Sequence, residues 1–183
     1  MIIGITGKAG VGKDTVADHL ISQYGFVKYS MAQPIKDLLN ARHGWSNADW
    51  QDREWKERPN VWAGIGADGY YMSPRQCAQW LGTEAGRMVH GEDCWIKIAR
   101  RKIEDMLPAS VVISDIRFRN EAQFVRDMGG VIVRIDRDVA PVADHESETM
   151  WFEPDVTIVN NGTMGELFAS AAMLAGWKKI WPT

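Results

Sequence analysis

The feature that most constrains this chain is a glycine-rich loop between a short apolar run and an amphipathic segment. Met1–Thr6 is almost entirely apolar, which is typical of a strand buried on both faces of a sheet. The loop follows as Gly7-Lys8-Ala9-Gly10-Val11-Gly12-Lys13, with the spacing G-x-x-x-x-G-K. From Lys13 to Tyr24 the apolar residues recur at helical spacing, and Gly25 ends the pattern. This order of strand, loop and helix is the context that a phosphate-binding loop requires.

The residue types of this loop suit a nucleoside triphosphate. Glycines let backbone N–H groups converge on phosphate oxygens, and the N-terminus of the following helix adds partial positive charge. A lysine at the end of the loop can reach the terminal phosphates. We therefore predict an ATP site made of Gly7, Lys8, Ala9, Gly10, Val11, Gly12, Lys13, Asp14 and Thr15.

The loop departs from the usual pattern just after the lysine. Asp14 stands where Ser or Thr usually ligates Mg²⁺, and Thr15 follows it. Adenylate-kinase-like enzymes also lack a hydroxyl at the first position and keep Thr at the second. This resemblance implies that Thr15 contacts phosphate and that Mg²⁺ is held largely through water. Asp14 either orients that water or only favours the positive helix N-terminus.

The rest of the chain alternates predicted strands and helices. We predict strands over 26–31, 110–116, 131–136 and 155–160, and helices over 34–44, 75–88, 93–106, 120–128 and 164–175. The alternation indicates a three-layer α/β/α P-loop NTPase fold with a mostly parallel five-stranded sheet. The 183 residues suit a single domain, 1–183, and the weakly periodic, Trp-containing stretch 46–74 is predicted to be an insertion.

Composition and charge exclude several classes of protein. Lys and Arg number 21 against 24 Asp and Glu, so an overall basic field for nucleic acid is absent. The two cysteines, Cys77 and Cys94, have no metal-ligand spacing and form no disulfide framework. The N-terminus lacks the features of a signal peptide, and no apolar run is long enough to span a bilayer. We therefore expect a cytoplasmic protein that binds neither nucleic acid nor membrane.

An acidic residue follows the strongest β-branched run of the chain. Asp115 comes after Val111-Val112-Ile113-Ser114, and ligands of parallel sheets bind beyond the carboxyl ends of strands. Asp115 is therefore a candidate for organising Mg²⁺. Arg117 and Arg119 could offset the repulsion between two polyanions during phosphoryl transfer. In the alternative interpretation, Asn120 only caps the next helix and both arginines are solvated.

Several further motifs occur in a fixed order along the chain. They are GKAGVGKDT at Gly7–Thr15, YSMAQPIK at Tyr29–Lys36, DREWKE at Asp52–Glu57, SPRQCAQWLGTEAGR at Ser73–Arg87, SDIRFRNE at Ser114–Glu121, HESE at His145–Glu148 and DVTIVNNGTMGEL at Asp155–Leu167. This ordered set resembles the bacteriophage-type deoxynucleoside monophosphate kinases, within the nucleoside monophosphate kinase group of P-loop proteins. The set is much more specific than the loop alone, because it is spread over nearly the whole chain.

The resemblance implies roles for individual residues. It places 46–74 on the acceptor side and a lid-like segment over 137–153, with Arg137 on ATP and the turn at Asn161-Gly162 against adenine. It implies catalytic roles for Lys13, Asp115, Arg117 and Arg119, and water-mediated contacts of Asp14, Thr15 and Asp115 with Mg²⁺. The acceptor monophosphate would be bound by Ser30, Ala32, Lys36, Arg75 (phosphate), Gln76 (base), Trp80, Arg87 and Arg117.

The implied activity is ATP- and Mg²⁺-dependent phosphorylation of deoxynucleoside 5′-monophosphates to diphosphates. Two alternatives stay open at this point: another small-molecule P-loop kinase, such as a dephospho-coenzyme A kinase-like enzyme, and a nucleotide-binding switch. A guanine-specific N-K-x-D motif, which a GTPase switch should carry, is absent from the sequence. The partner is a small deoxynucleotide, and the exposed-looking tryptophans leave room for a homodimer.

Overall fold

A computed structural model describes residues 1–138 and 152–176, which form two compact units. The first unit contains Met1–Met31 and the described residues from Ala99 onward; the second is Ala32–Ile98. In chain order the elements are β1 (Ile2–Thr6), α1 (Lys13–Tyr24), β2 (Val27–Tyr29), α2 (Gln33–His43), α3 (Arg53–Glu57), α4 (Pro74–Trp80), α5 (Met88–His90), α6 (Cys94–Met106), β3 (Val111–Ile113), α7 (Arg119–Asp127), β4 (Val131–Asp136), β5 (Val156–Val159) and α8 (Met164–Gly176).

The first unit is built on a five-stranded sheet in the order β2-β3-β1-β4-β5. Every pairing between neighbouring strands is parallel, and Ile3 of β1 lies opposite Val112 on one side and Val131 on the other. All five residues of β1 are buried, as expected for a central parallel strand covered on both faces. The predicted five-stranded parallel sheet is confirmed.

Helices cover both faces of this sheet. Ile3 and Ile5, on one face of β1, belong to a buried cluster with Val16 and Leu20 of α1 and Leu167 of α8. Gly4 points the other way, because side chains alternate along a strand. A Cβ on Gly4 would lie 2.8 Å from the Ile132 side chain and 3.3 Å from Val125 of α7. The predicted three layers of helix, sheet and helix are therefore present.

The second unit is held together by tryptophans instead of a sheet. Trp45, Trp50 and Trp55 pack edge to face around one another, with ring centroids 5.1–5.8 Å apart. Trp50 is buried, and its indole N–H donates to the Asn40 side chain of α2. These tryptophans thus serve as core residues, whereas Trp62 is 72% exposed. Short 3₁₀ turns at Asp49–Gln51 and Val61–Ala63 connect the helices, as expected for an irregular stretch.

The helix predicted over 75–88 is not a regular α-helix along its whole length. Regular α-helix ends at Trp80, and Leu81–Arg87 continues as a π-helix before α5. Gly82 and Gly86 are buried here, and the indole N–H of Trp95 donates to the Gly82 carbonyl at 2.8 Å. A Cβ on Gly86 would lie 2.5 Å from the Trp95 ring. The wider π turn, whose hydrogen bonds run from i to i+5, is thus built against a large ring.

The other predicted elements agree with the structure to within a few residues. The strand predicted over 26–31 is shortened to Val27–Tyr29, and the one over 110–116 to Val111–Ile113. Most of the predicted lid, residues 139–151, lies outside the described residues, so the lid stays a prediction. No helix within residues 1–138 and 152–176 is both long and apolar enough to cross a membrane.

Candidate active site

The polar residues predicted from the sequence cluster at one edge of the first unit. Because all five strands are parallel, the segments that follow them emerge at the same edge of the sheet. These segments are Gly7–Gly12 after β1, Ser30 after β2, Ser114 and Asp115 after β3, Arg137 and Asp138 after β4, and Asn160 and Asn161 after β5.

The lysine of the glycine-rich loop folds back over the loop itself. Lys13 Nζ donates to the carbonyl oxygens of Gly7, at 2.7 Å, and Lys8, at 2.6 Å. Gly7 has a φ of +139°, and a Cβ there would collide with the Ile135 carbonyl oxygen of β4. Only glycine fits that position. The loop therefore closes around the ammonium group, while Lys8, Ala9 and Gly10 are exposed along its rim.

Asn160 fastens this loop from the far end of the sheet. Its side-chain N–H donates to the Val11 carbonyl at 2.8 Å, and its backbone N–H donates to the Asp136 carbonyl at 2.7 Å. Asn160 is buried, and a Cβ on Gly12 would lie 2.7 Å from its Nδ2 atom. The sequence predicts only that a strand ends at this residue. Its burial and its two hydrogen bonds, which the structure shows, give it a structural role.

A cleft of about 330 Å³ opens beside the loop. It is lined by Lys8, Val11, Asp136, Arg137, Asp138, Val159 and Asn161. Asn161 and Asp138 close its floor with two hydrogen bonds, Asp138 N–H to Asn161 Oδ1 at 2.9 Å and Asn161 Nδ2 to Asp138 Oδ2 at 2.8 Å. Arg137 and Asn161 thus line one cleft with Lys8 and Val11 of the loop, and their roles in ATP binding stay predictions. Gly162 follows, beside the Glu166 carboxylate.

Asp14 has polar partners from two strands. The Ser114 hydroxyl donates to Asp14 Oδ1 at 3.2 Å, and Lys28 Nζ lies 3.3 Å from the same oxygen. Lys28 also contacts Asp18, one turn further along α1, at 3.3 Å. Burial alone would lower the pKa of Lys28, but the charges and hydrogen bonds of Asp14 and Asp18 outweigh it and raise that pKa above its usual value. Thr15 is half-buried in the first turn of the same helix.

Asp115 uses both carboxylate oxygens on the segment that follows β2. The Ser30 hydroxyl donates to Oδ2 at 2.6 Å, and the backbone N–H of Met31 donates to Oδ1 at 2.9 Å. Ser30 and Asp115 were predicted for different roles, and the structure brings them into direct contact. In this arrangement Asp115 positions the chain beyond β2, and its water-mediated role with Mg²⁺ stays a prediction.

The two arginines after Asp115 occupy different surroundings. The backbone N–H groups of Arg117 and Phe118 donate to the buried carboxylate of Glu121, at 2.8 and 3.1 Å. Glu121, which carried no predicted role, therefore shapes this loop. Arg119 lies on α7 in a separate groove with Gln123, Arg126, Phe152 and Glu153. The described lining of the cleft beside the glycine-rich loop includes neither Arg117 nor Arg119.

The remaining predicted acceptor residues belong to the second unit. Arg75 Nε donates to Glu57 Oε1 at 2.6 Å, and Gln76 forms a capping box with Ser73 at the start of α4. The Lys36 ammonium lies 5.9 Å from the centre of the Trp50 ring. Arg87 donates to the Glu92 carbonyl, Trp80 is 52% exposed, and Ala32 immediately precedes α2. The side chain of Gln76 thus already takes part in capping the N-terminus of α4.

The oxygen donors near the loop suit a hard cation. Asp14, Thr15 and Asp115 supply carboxylate and hydroxyl groups, the chemistry that Mg²⁺ prefers. Within the part of the chain that the structure describes, three or more acidic, His or Cys side chains nowhere converge as a ready-made metal site. Mg²⁺ is commonly held by one or two carboxylates together with substrate phosphates. The residues present fit that mode of binding.

A parallel sheet in this order, with a glycine-rich loop and its lysine after the central strand, defines a P-loop nucleotide-binding protein. The fold is shared with a Thermus thermophilus protein of known crystal structure, with a TM-score of 0.53, 16% identity and coverage of 100% of this chain and 98% of that one. The family model for deoxynucleotide monophosphate kinase matches residues 1–70 and 68–170. The chain therefore belongs to the deoxynucleotide monophosphate kinase family.

Two relatives extend over most of the chain. A protein of Acanthamoeba polyphaga mimivirus named as a deoxynucleotide monophosphate kinase is 31% identical over 189 residues, covering 92% of this chain and 93% of the relative. The deoxynucleoside-5′-monophosphate kinase of Escherichia phage T5 is 25% identical over 210 residues, covering 81% and 84%. The predicted resemblance is confirmed, and phosphorylation of deoxynucleoside monophosphates is favoured over both alternative activities.

Proposed function

We propose that this chain transfers the γ-phosphoryl group of ATP to the 5′-phosphate of a deoxynucleoside monophosphate, with Mg²⁺ as cofactor. The observation that carries the proposal is the loop after β1, closed around the ammonium group of Lys13. The carbonyl oxygens of Gly7 and Lys8 accept hydrogen bonds from this ammonium group. The phosphates of ATP would replace these carbonyl oxygens as its acceptors. The cleft lined by Arg137 and Asn161 adjoins the loop and suits the rest of the ATP molecule.

Catalysis in this proposal depends on position and charge. The attacking acceptor phosphate is already an anion, so no strong base is required. Lys13 and the loop amides bind the β- and γ-phosphates, and Arg117 offsets charge on the transferring group. When bound, Mg²⁺ would neutralise phosphate charge and orient the phosphate chain, with Asp14, Thr15 and Asp115 as its water-mediated contacts.

We assign recognition of the acceptor phosphate to Arg75 in the second unit. Its Nε atom is engaged by Glu57, which leaves the two terminal nitrogens of the guanidinium for a phosphate. Ser30, Ala32, Lys36, Gln76, Trp80 and Arg87 stay candidates for the rest of the acceptor. Arg119 is the weakest of the proposed catalytic residues, because it lies in the α7 groove. A homodimer stays a prediction.

A coupled assay of ADP release tests the proposal. The wild-type chain, ATP and Mg²⁺ are combined in turn with dGMP, dTMP, dCMP, dAMP, the matching ribonucleotides and dephospho-coenzyme A. We expect turnover that requires a monophosphate and is fastest with one or more deoxynucleotides. ATP hydrolysis that is unchanged by every monophosphate, or turnover of dephospho-coenzyme A alone, would contradict the proposal.

A further inference from the structure

Lys28 lies outside every motif discussed above, yet it contacts the residue at which the glycine-rich loop departs from its usual pattern. It occupies the middle of β2, and its ammonium group lies 3.3 Å from Asp14 Oδ1 and 3.3 Å from Asp18 Oδ1. Ser114, at the end of β3, donates to that same oxygen of Asp14. Three elements, α1, β2 and β3, thus converge on one carboxylate.

An acid at position 14 creates an electrostatic problem for the proposed donor site. A carboxylate directly after the loop lysine would repel a triphosphate, which carries several negative charges. Asp18, one helical turn further on, adds a second negative charge to the same helix face. A compensating cation at this place would therefore favour nucleotide binding, and Lys28 supplies one.

The contacts of Asp14 also influence the orientation of its carboxylate group. Ser114 is buried and directly follows β3, which pairs with a strand on each side, so the hydroxyl group comes from a well-packed position. Ser114 and Lys28 both contact Oδ1 of the exposed Asp14 carboxylate, and these contacts favour one orientation of it. An exposed aspartate without these partners would rotate among several rotamers.

We propose that Lys28 is a positioning residue of the donor site, which offsets and orients Asp14 so that an acid can replace the usual hydroxyl beside Mg²⁺ and the phosphates. The inference rests on the proposed function, because it assumes that the loop binds ATP. Lys28 acts through Asp14 and does not itself contact the reacting atoms. Its removal should therefore affect the donor nucleotide and leave the acceptor unaffected.

The test compares Lys28→Met and Lys28→Arg with Lys102→Met, which removes an exposed lysine from α6. Binding of a non-hydrolysable ATP analogue with Mg²⁺ is measured by calorimetry, and the KM values for ATP and the best acceptor by the coupled assay. For Lys28→Met we expect the Kd of the analogue and the KM of ATP to rise about 5-fold. The acceptor KM should stay unchanged, and both Lys28→Arg and Lys102→Met should remain within about 2-fold of wild type.

A double mutant separates action through Asp14 from a general structural effect. In an Asp14→Asn background, Lys28→Met should change the Kd of the analogue by less than about 2-fold, because the carboxylate next to the loop lysine, through which Lys28 acts, is gone and only the more distant Asp18 remains. Equal effects of Lys28→Met in both backgrounds, or a Kd equal to that of Lys102→Met, would overturn the inference. Loss of acceptor affinity to the same extent would also overturn it. An inactive wild type would instead reject the proposed function.

Discussion

In the first unit, the candidate donor residues are held by main-chain groups and buried polar side chains, whereas the second unit presents exposed side chains on helices packed around tryptophans. Lys13 contacts two loop carbonyls, and Asn160 reaches a third from another strand. Arg75, by contrast, is held by one carboxylate that is itself half exposed. A donor site that is built from backbone groups depends on the shape of the loop. An acceptor site that is built from side chains can be changed by substituting one residue at a time.

The largest expected effect comes from removing the ammonium group of Lys13, which backbone carbonyls hold in the first unit. Lys13→Met should lower kcat/KM by roughly 10³-fold, because the charge that would stabilise the transferring phosphates is lost. Circular dichroism should show an unchanged fold, since Lys13 is not part of the buried cluster of the sheet. Lys102→Met is the matched control. Activity of Lys13→Met near that of the control would remove the basis for the donor site.

The corresponding change in the second unit is Arg75→Ala. We expect a loss of about 100-fold in kcat/KM for the acceptor, with the KM of ATP unchanged, because charge-assisted hydrogen bonds to phosphate are lost. Glu57→Gln, which keeps the shape of the ion-pair partner, should raise the acceptor KM only about 3-fold. An equal loss of affinity for ATP and acceptor in Arg75→Ala would mean that the two units do not divide the substrates as proposed.

The contribution of the hydrogen bond between Asn160 and Val11 can be tested by measuring the free energy of unfolding. Asn160→Ala removes the donor to Val11 and leaves a buried carbonyl unsatisfied, which should cost about 1–3 kcal/mol of unfolding free energy. The neighbouring Asn161→Ala, on an exposed residue, should cost less than about 0.5 kcal/mol. Urea unfolding curves of both variants give the difference. Similar costs at both positions would show that the bond to Val11 contributes little.

Packing against the π-helix can be tested with a single methyl group. Gly86→Ala places a Cβ 2.5 Å from the Trp95 ring and should cost about 1–3 kcal/mol. Gly165→Ala, in α8, has its nearest neighbour at 3.8 Å and should stabilise the chain by about 0.5 kcal/mol. Thermal unfolding should therefore shift in opposite directions. A neutral Gly86→Ala would mean that Trp95 can move aside without cost.

The smallest expected effect is electrostatic and depends on pH. Glu166 accepts hydrogen bonds from the backbone N–H and the hydroxyl of Thr163 at the start of α8, and they lower its pKa. A lowered folded-state pKa stabilises the protein above the usual Glu value of about 4.3, and the gain is lost as pH falls through the folded value. The difference in melting temperature between wild type and Glu166→Gln should shrink below about pH 4. The exposed Glu104→Gln serves as control, and a difference independent of pH would contradict the assignment.

Much of the first unit follows from local sequence. The helix from Lys13 to Tyr24 was predicted with its observed bounds and the strand before the loop to within one residue, because burial and capping signals there are contiguous. The contacts of Asp115 with Ser30, and of Asn160 with Val11, could not be predicted in the same way. Each joins residues far apart in the chain, and nothing in their immediate neighbours indicates the partner.

The second unit shows the limit of periodicity. The apolar spacing between Arg75 and Met88 predicts one α-helix, and it does not reveal the π turn at Leu81–Arg87. The two glycines inside that stretch were the only local signal. Their cause, the Trp95 ring on a later helix, is a tertiary contact that overrides local preference. Similarly, the pattern around Ser114 and Asp14 gave no indication that Lys28 would be their neighbour.

The bond between Asn160 and Val11 spans 149 positions of the chain, which has a consequence for synthesis on the ribosome. The glycine-rich loop emerges from the ribosome well before the residue that fastens it. A nascent chain that stops before β5 should therefore carry the complete loop sequence without its final shape. Nucleotide binding by the loop should therefore arise only after β5 has joined the sheet.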